Sequence, residues 1–222
     1  MHFSVSDLPE GLLRPARPFS LGRRRLVARA LWLSVLGPTA AAGLSACSAE
    51  KPPVFRGIDI TGAPYGQKLR LNDPDGRART LQDFRDQVVL VFFGFTQCPD
   101  VCPTALARAA EVKRLLGADG AKLQVLFISV DPERDTPEVL KAYTTAFDPS
   151  FLGLSGDAAQ TAEVAKEFRV VYTRVPTGSS YTIDHSALSY LIDPQGRLRV
   201  ALRHEQSAAD YAADVQQLLR AG

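Results

Sequence analysis

The chain is short of the soft and aromatic side chains that crowd many ligand and metal sites. Its 222 residues include one methionine, one tryptophan, three cysteines and three histidines. With no methionine beyond Met1, a methionine-rich thioether metal cluster is excluded. Trp32 falls in an N-terminal leader and cannot serve a folded site. The stretch His204-Glu205-Gln206-Ser207-Ala208 lacks the second histidine of a zinc HExxH helix. No internal repeat or low-complexity block is present. A strong excess of one charge is also missing. Residues 1–46 hold six arginines against Asp7 and Glu10; without them the 26 basic and 24 acidic side chains become 20 and 22. The basic character thus belongs to the leader, and nothing favours nucleic-acid binding. Otherwise 45% hydrophobic and 23% charged residues are ordinary for a globular protein.

The leader, residues 1–47, reads as an export signal. Arg14, Arg17, Arg23, Arg24, Arg25 and Arg29 precede an apolar run from Ala30 to Ala46, and Leu44-Ser45-Ala46-Cys47 closes it. That run, broken by Gly37-Pro38, is marginal for a spanning helix. Leu-Ser-Ala-Cys resembles a bacterial lipobox, which implies lipidation of Cys47; an uncleaved N-terminal anchor is the alternative. Both place the domain at a membrane of the bacterial cell envelope, facing the periplasm or extracytoplasmic space. Arg23-Arg24 is also a weak twin-arginine match. Residues 48–66, rich in Pro and Gly, read as a tether, and 67–222 as one domain.

Within that domain the pattern alternates between strands and helices. Residues 67–71 alternate and end in the turn cluster 72–76, an N-terminal hairpin. Leu81–Arg85 is a helical turn. Val88–Phe95 is a continuous apolar run, a strand buried on both faces. Pro103–Leu116 has helical spacing and stops at Gly117. Lys122–Val130 is a second buried strand. Asp135-Thr136-Pro137-Glu138 starts a helix, with a capping side chain followed by Pro in the first turn, and Asp157–Phe168 is another. Val170–Val175, Ala187–Ile192 and Leu198–Leu202 read as strands, the last two joined by Asp193-Pro194-Gln195-Gly196. Ser207–Leu219 is a closing amphipathic helix. The whole predicts an α/β fold with a mixed central sheet flanked by helices.

The chemistry concentrates in FGFTQCPDVCPT, directly after VVLVFF. Cys98 and Cys102 stand four positions apart at the expected start of a helix. Residues i and i+4 of a helix share a face, and a helix N-terminus lowers a cysteine pKa. Three fates remain for this dithiol: metal capture, thiol redox work or a structural disulfide. A disulfide suits an exported protein but closes so short a loop that it gains little chain entropy. Two converging thiolates suit Cu(I), or Cu(II) with an imidazole added.

Strand, dithiol, helix, then β, α and a late ββα unit resemble the thioredoxin superfamily. Within it, FGFTQCPDVCPT, SVDPERDTPE (129–138) and Asp184-His185-Ser186 before SYLIDPQGRL resemble the SCO1/SenC family, copper proteins of cytochrome c oxidase assembly. The resemblance implies a thioredoxin-like fold and a copper metallochaperone with Cys98, Cys102 and His185 as ligands. The implied recipient is the binuclear copper site of the oxidase's copper-bearing subunit. Other copper chaperones or thioredoxin-like reductants are further implied partners. Asp184 and Ser186 are candidates to orient the His185 ring. The site is expected to be shallow and exposed.

A thiol–disulfide oxidoreductase that reduces the oxidase's cysteines is the alternative role for the same thiols. Its spacing is C-x-x-x-C where thioredoxins have C-x-x-C, and Ile183-Asp184-His185 stands where they carry proline. A peroxidase needs T-x-x-C, and Thr96 is one position too close to Cys98. A closed zinc site needs a fourth ligand. Asp131 and Asp135 read as a solvated loop capping a helix, or as a docking element. His204 reads as a solvated surface histidine, and Phe92, Phe93 and Phe95 as core and site wall.

Overall fold

The computed structural model describes residues 53–221. The leader with Cys47 lies outside them. Among the described residues no helix is long and apolar enough to cross a membrane.

A six-stranded mixed sheet forms the centre, in the order β1-β10-β9-β4-β5-β6. The strands are β1 (Ile58–Asp59), β4 (Val88–Gly94), β5 (Leu123–Ser129), β6 (Leu152–Leu154), β9 (Ser189–Ile192) and β10 (Leu198–Leu202). β4 runs parallel to β5, and β5 to β6; β9 is antiparallel to β4, β10 to β9 and β1 to β10. Every residue of β4 is buried. It sits mid-sheet with a partner on each edge and packing on each face, so its apolar run is unbroken.

Among the described residues four helices flank the sheet: α1 (Val101–Leu116), α2 (Pro137–Thr145), α3 (Ala158–Glu167) and α4 (Ala208–Arg220). Their ends follow local chemistry. Thr136 accepts the Val139 N–H ahead of Pro137, and Asp157 pairs reciprocally with Gln160 in a capping box. α1 packs against α4, α2 against β6. Two small hairpins stand apart from the main sheet: β2 (Arg70–Asn72) with β3 (Ala78–Thr80), and β7 (Tyr172–Thr177) with β8 (Ser180–His185).

Two turns share one design. Asp73 and Asp193 each precede a proline, accept backbone N–H groups of their own turn, and pair with arginines, Arg79 for the first, Arg197 and Arg199 for the second. Gly196 sits at φ 78°, a conformation that an L side chain disfavours.

Three expectations change. The segment 48–66 is not wholly a tether, because Ile58 and Asp59 extend the sheet and the buried Asp214 carboxylate accepts the Arg56 and Gly57 N–H groups at 2.6 and 2.8 Å. The strand expected over Val170–Val175 is β7, two residues later. Its partner β8 has no counterpart among the expected strands, and His185 ends it. β8 carries one buried side chain, Ile183, and β7 none, so the hairpin's apolar signal is too thin to announce two strands.

Candidate metal centre

β4 ends at Gly94, and the next eight residues carry the chain from the core to the first turn of α1. A Cβ at Gly94 would lie 2.6 Å from Cys102 Sγ and 2.9 Å from the Phe127 ring. The glycine makes the space in which the sulfur sits. Cys102 has 0% exposure, whereas Cys98 is half-buried.

The two thiols do not share a helical face. Cys98 lies in the turn before α1, its N–H bonded to the Phe95 carbonyl at 3.2 Å. Its Sγ accepts the Cys102 N–H at 3.5 Å. The Asp100 side chain, at the N-cap position, makes no cap bond, so a sulfur takes part of that role. The turn thus brings together the thiols that helical spacing was expected to align.

The pair holds one negative charge. The Cys102 thiol donates to Cys98, and the Asp100 and Cys102 N–H groups add to that bond; together they bring Cys98 down to about 4, against burial. Cys102 is pushed strongly up, first by sharing that hydrogen with Cys98 and then by burial. The dipole argument therefore holds for one thiol and fails for the other.

His185 completes the cluster. Its Nε2 is 3.5 Å from Cys102 Sγ, and its Nδ1 is 3.0 Å from the Ser186 main-chain carbonyl. A carbonyl only accepts, so Nδ1 carries the hydrogen and Nε2 turns a lone pair to the thiols. Phe92 and Phe95 meet the ring edge-on at 6.0 and 5.9 Å. The donor atoms of Cys98, Cys102 and His185 all lie within 4.8 Å of one another. Among the described residues no carboxylate or second histidine joins them, so a closed four-ligand zinc cage is not formed.

Several expected contributions are placed differently. Ser186 holds the His185 ring through its backbone; its hydroxyl instead bonds Val171. Asp184 is exposed, because neighbours on a strand point to opposite faces, and no bond joins it to the ring. The site is not shallow, since one of its sulfurs is wholly enclosed. His204 is half-buried, 3.5 Å from Arg108 and apart from the cluster. Phe92, Phe93 and Phe95 are core and wall, as expected.

The loop with Asp131 and Asp135 is not solvated. Asp131 is 0% and Asp135 1% exposed. Asp135 accepts from Thr96 N and Oγ1 and from Ser129 Oγ, while burial raises its pKa. Asp131 pairs with Arg134 and accepts the Tyr181 hydroxyl at 2.7 Å. Arg134 lay inside the SVDPERDTPE motif, so its position was visible in the sequence; Tyr181 and Tyr143 carried no signal. The Tyr143 hydroxyl is buried without a partner among the described residues, and burial with the nearby thiols raises its pKa.

Comparison with known proteins fits this architecture. The SCO1/SenC family model matches residues 59–220. The chain belongs to the SCO1/SenC family. An SCO2-like protein of Rickettsia prowazekii is 41% identical over 135 residues, covering 60% of this chain and 66% of that protein. The mitochondrial SCO2 homolog of Bos taurus is 45% identical over 139 residues, covering 60% of this chain and 52% of its own length. The matches therefore span about half to two thirds of these two relatives. Bradyrhizobium japonicum ScoI, solved with copper bound, is 44% identical with a TM-score of 0.63 over 68% of this chain and 97% of that one. The SCO1/SenC fold thus accounts for the mixed sheet and flanking helices seen here, the thioredoxin-like architecture read from the sequence.

Proposed function

We propose that this protein is a copper metallochaperone whose cargo is held by Cys98 Sγ, Cys102 Sγ and His185 Nε2. The observation that carries the reading is the convergence of these three atoms within 4.8 Å. Two sulfurs form a soft pair suited to Cu(I), and the imidazole adds the nitrogen that Cu(II) favours. The copper-bound ScoI relative supports the choice of metal. The half-exposed Cys98 and His185 give an incoming thiolate a line of approach, whereas Cys102 stays enclosed. Transfer then proceeds by stepwise ligand exchange, Cys98 yielding first. The recipient we propose is the binuclear copper site of a cytochrome c oxidase subunit, with other copper chaperones or thioredoxin-like reductants as upstream partners. In the same reading, residues 1–47 are an export leader ending at a lipidated Cys47. That lipid tethers the domain to the membrane, facing the periplasm or extracytoplasmic space.

A second reading rests on the unequal pair of thiols. Cys98 is a thiolate at neutral pH, and Cys102 is a protonated neighbour in contact with it. Cys98 attacks a partner disulfide and releases one thiolate. Cys102, giving up its proton to a partner sulfur, then attacks the Cys98 sulfur, so the partner leaves reduced with one thiol and one thiolate, which takes a proton from water, and the protein keeps the disulfide.

The test is titration of the full, reduced chain in detergent with Cu(I) and Cu(II). The metallochaperone reading expects one copper per chain, loss of tight binding in either Cys→Ala variant, and the greatest weakening of Cu(II) in His185→Ala. If His185→Ala leaves both affinities unchanged while Cys98→Ala abolishes reduction of an oxidase-type disulfide peptide, the redox reading replaces it.

A further inference from the structure

The hairpin β7–β8, which carries His185, shares no strand ladder with the six-stranded sheet that carries the dithiol. Side chains of the loop 130–136 join the two. Towards the dithiol, Asp135 holds the Thr96 N–H at 3.2 Å and the Thr96 hydroxyl at 2.6 Å, two residues ahead of Cys98. Arg134 Nη1 reaches Gln97 Oε1 at 3.0 Å, adjacent to Cys98. Towards the hairpin, the same Nη1 donates to the Tyr181 carbonyl at 2.8 Å. The Arg134 guanidinium lies 3.8 Å from the Tyr181 ring centroid and 5.8 Å from that of Phe95. Asp131 pairs with Arg134 Nε and accepts the Tyr181 hydroxyl at 2.7 Å. Tyr181, Ile183 and His185 fall on one face of β8, since alternate residues of a strand share a side.

We infer that Asp131 and Arg134 are positioning residues for His185: they grip β8 at Tyr181 and, through Gln97, fix its distance from the dithiol turn. The inference rests on the three-donor reading of the site. An Asp–Arg pair of this kind, 0% and 17% exposed, is not an economical source of stability, since well-packed apolar residues often serve as well. What it supplies is geometry. A planar guanidinium can serve an acid, a carbonyl and an amide at fixed angles, while stacking on a ring; an ammonium cannot. Partners that hold a metal-binding histidine in place typically change metal affinity ~10–100-fold when removed.

The test uses the full chain in detergent with Arg134→Met, Arg134→Lys and Tyr181→Phe. Three quantities are read: amide hydrogen exchange of the metal-free protein, the nitrogen hyperfine signal of the Cu(II) form, and Cu(I) affinity by chelator competition. Arg134→Met is expected to speed exchange across 172–185 while leaving β4 and β5 as protected as before. It should weaken Cu(II) binding ~10–100-fold and diminish the nitrogen signal. Cu(I) affinity, set by the two thiols, should stay within about threefold, a small fraction of that Cu(II) effect. Arg134→Lys should fail to restore the signal. Tyr181→Phe, which removes one hydroxyl, should shift each readout in the same direction but less, and it decides the matter if Arg134→Met does not fold. Unchanged hairpin exchange and an unchanged nitrogen signal in the folded variants overturn the inference. Should the wild-type chain bind no copper, the metallochaperone reading falls, and hairpin exchange alone decides whether the loop braces β8.

Discussion

The two halves of the metal centre are built in opposite ways. The dithiol turn follows β4, whose seven residues are all buried, and one of its sulfurs is sealed in the core. His185 ends β8, whose exposed hairpin owes its placement to side-chain contacts. One half inherits its geometry from the hydrophobic core; the other has it fixed by one core side chain, Ile183, and a few polar bonds. Changes to the first half should therefore cost both folding and binding. Changes to the polar bonds of the second should cost geometry more than stability.

The largest effect should come from the dithiol. Cys98→Ala or Cys102→Ala should reduce Cu(I) affinity by more than the ~10–100-fold that outer-shell changes cost, measured by chelator competition. Gly94→Ala should follow, because its Cβ would press to 2.6 Å on Cys102 Sγ. Overpacking of this kind costs about 1–3 kcal/mol, read from urea unfolding, and here it should weaken copper binding as well. Asp135→Ala strands the Thr96 and Ser129 donors and should destabilise by about 1–3 kcal/mol in the same assay.

The reduced, metal-free thiols give a pH test. Cys98 titrates at about 4 when folded against an ordinary 9.0, so its thiolate is present across neutral pH. Iodoacetamide should modify Cys98 at a steady rate from mildly acidic to neutral pH, slowing as pH falls through about 4, with Cys102 protected. The depressed Cys98 adds stability as pH rises from about 4 towards the unfolded value of 9.0, and the raised Cys102 takes stability away as pH rises beyond it. The smallest effect should be Ser186→Ala. The ring is held by the main-chain carbonyl, so copper affinity should move by no more than about twofold, as surface substitutions generally do.

The contrast between the two halves also governs what the sequence discloses. VVLVFF announces β4 because burial on both faces needs an unbroken apolar run, and the dithiol is read directly from its end. Thr136-Pro137 and Asp157 mark helix starts because their caps are local. The hairpin β7–β8 leaves a fainter trace, since β7 buries no side chain and β8 only Ile183. His185 was identified by its motif, while its place on a strand was not. The loop 130–136 looked solvated because its charges are dense. Only the fold reveals that Asp131 and Asp135 are buried among partners distant in sequence, Tyr181 and Thr96. Ser186 acts through its backbone, which no side-chain reading can anticipate.

The central claim is that both halves contribute donors to a single copper ion. Electron paramagnetic resonance of the Cu(II) form, with histidine labelled by nitrogen-15, tests it most directly. The account predicts hyperfine coupling to one imidazole that disappears in His185→Ala and persists in His204→Ala. Coupling that survives in His185→Ala, or that vanishes in His204→Ala, would contradict it.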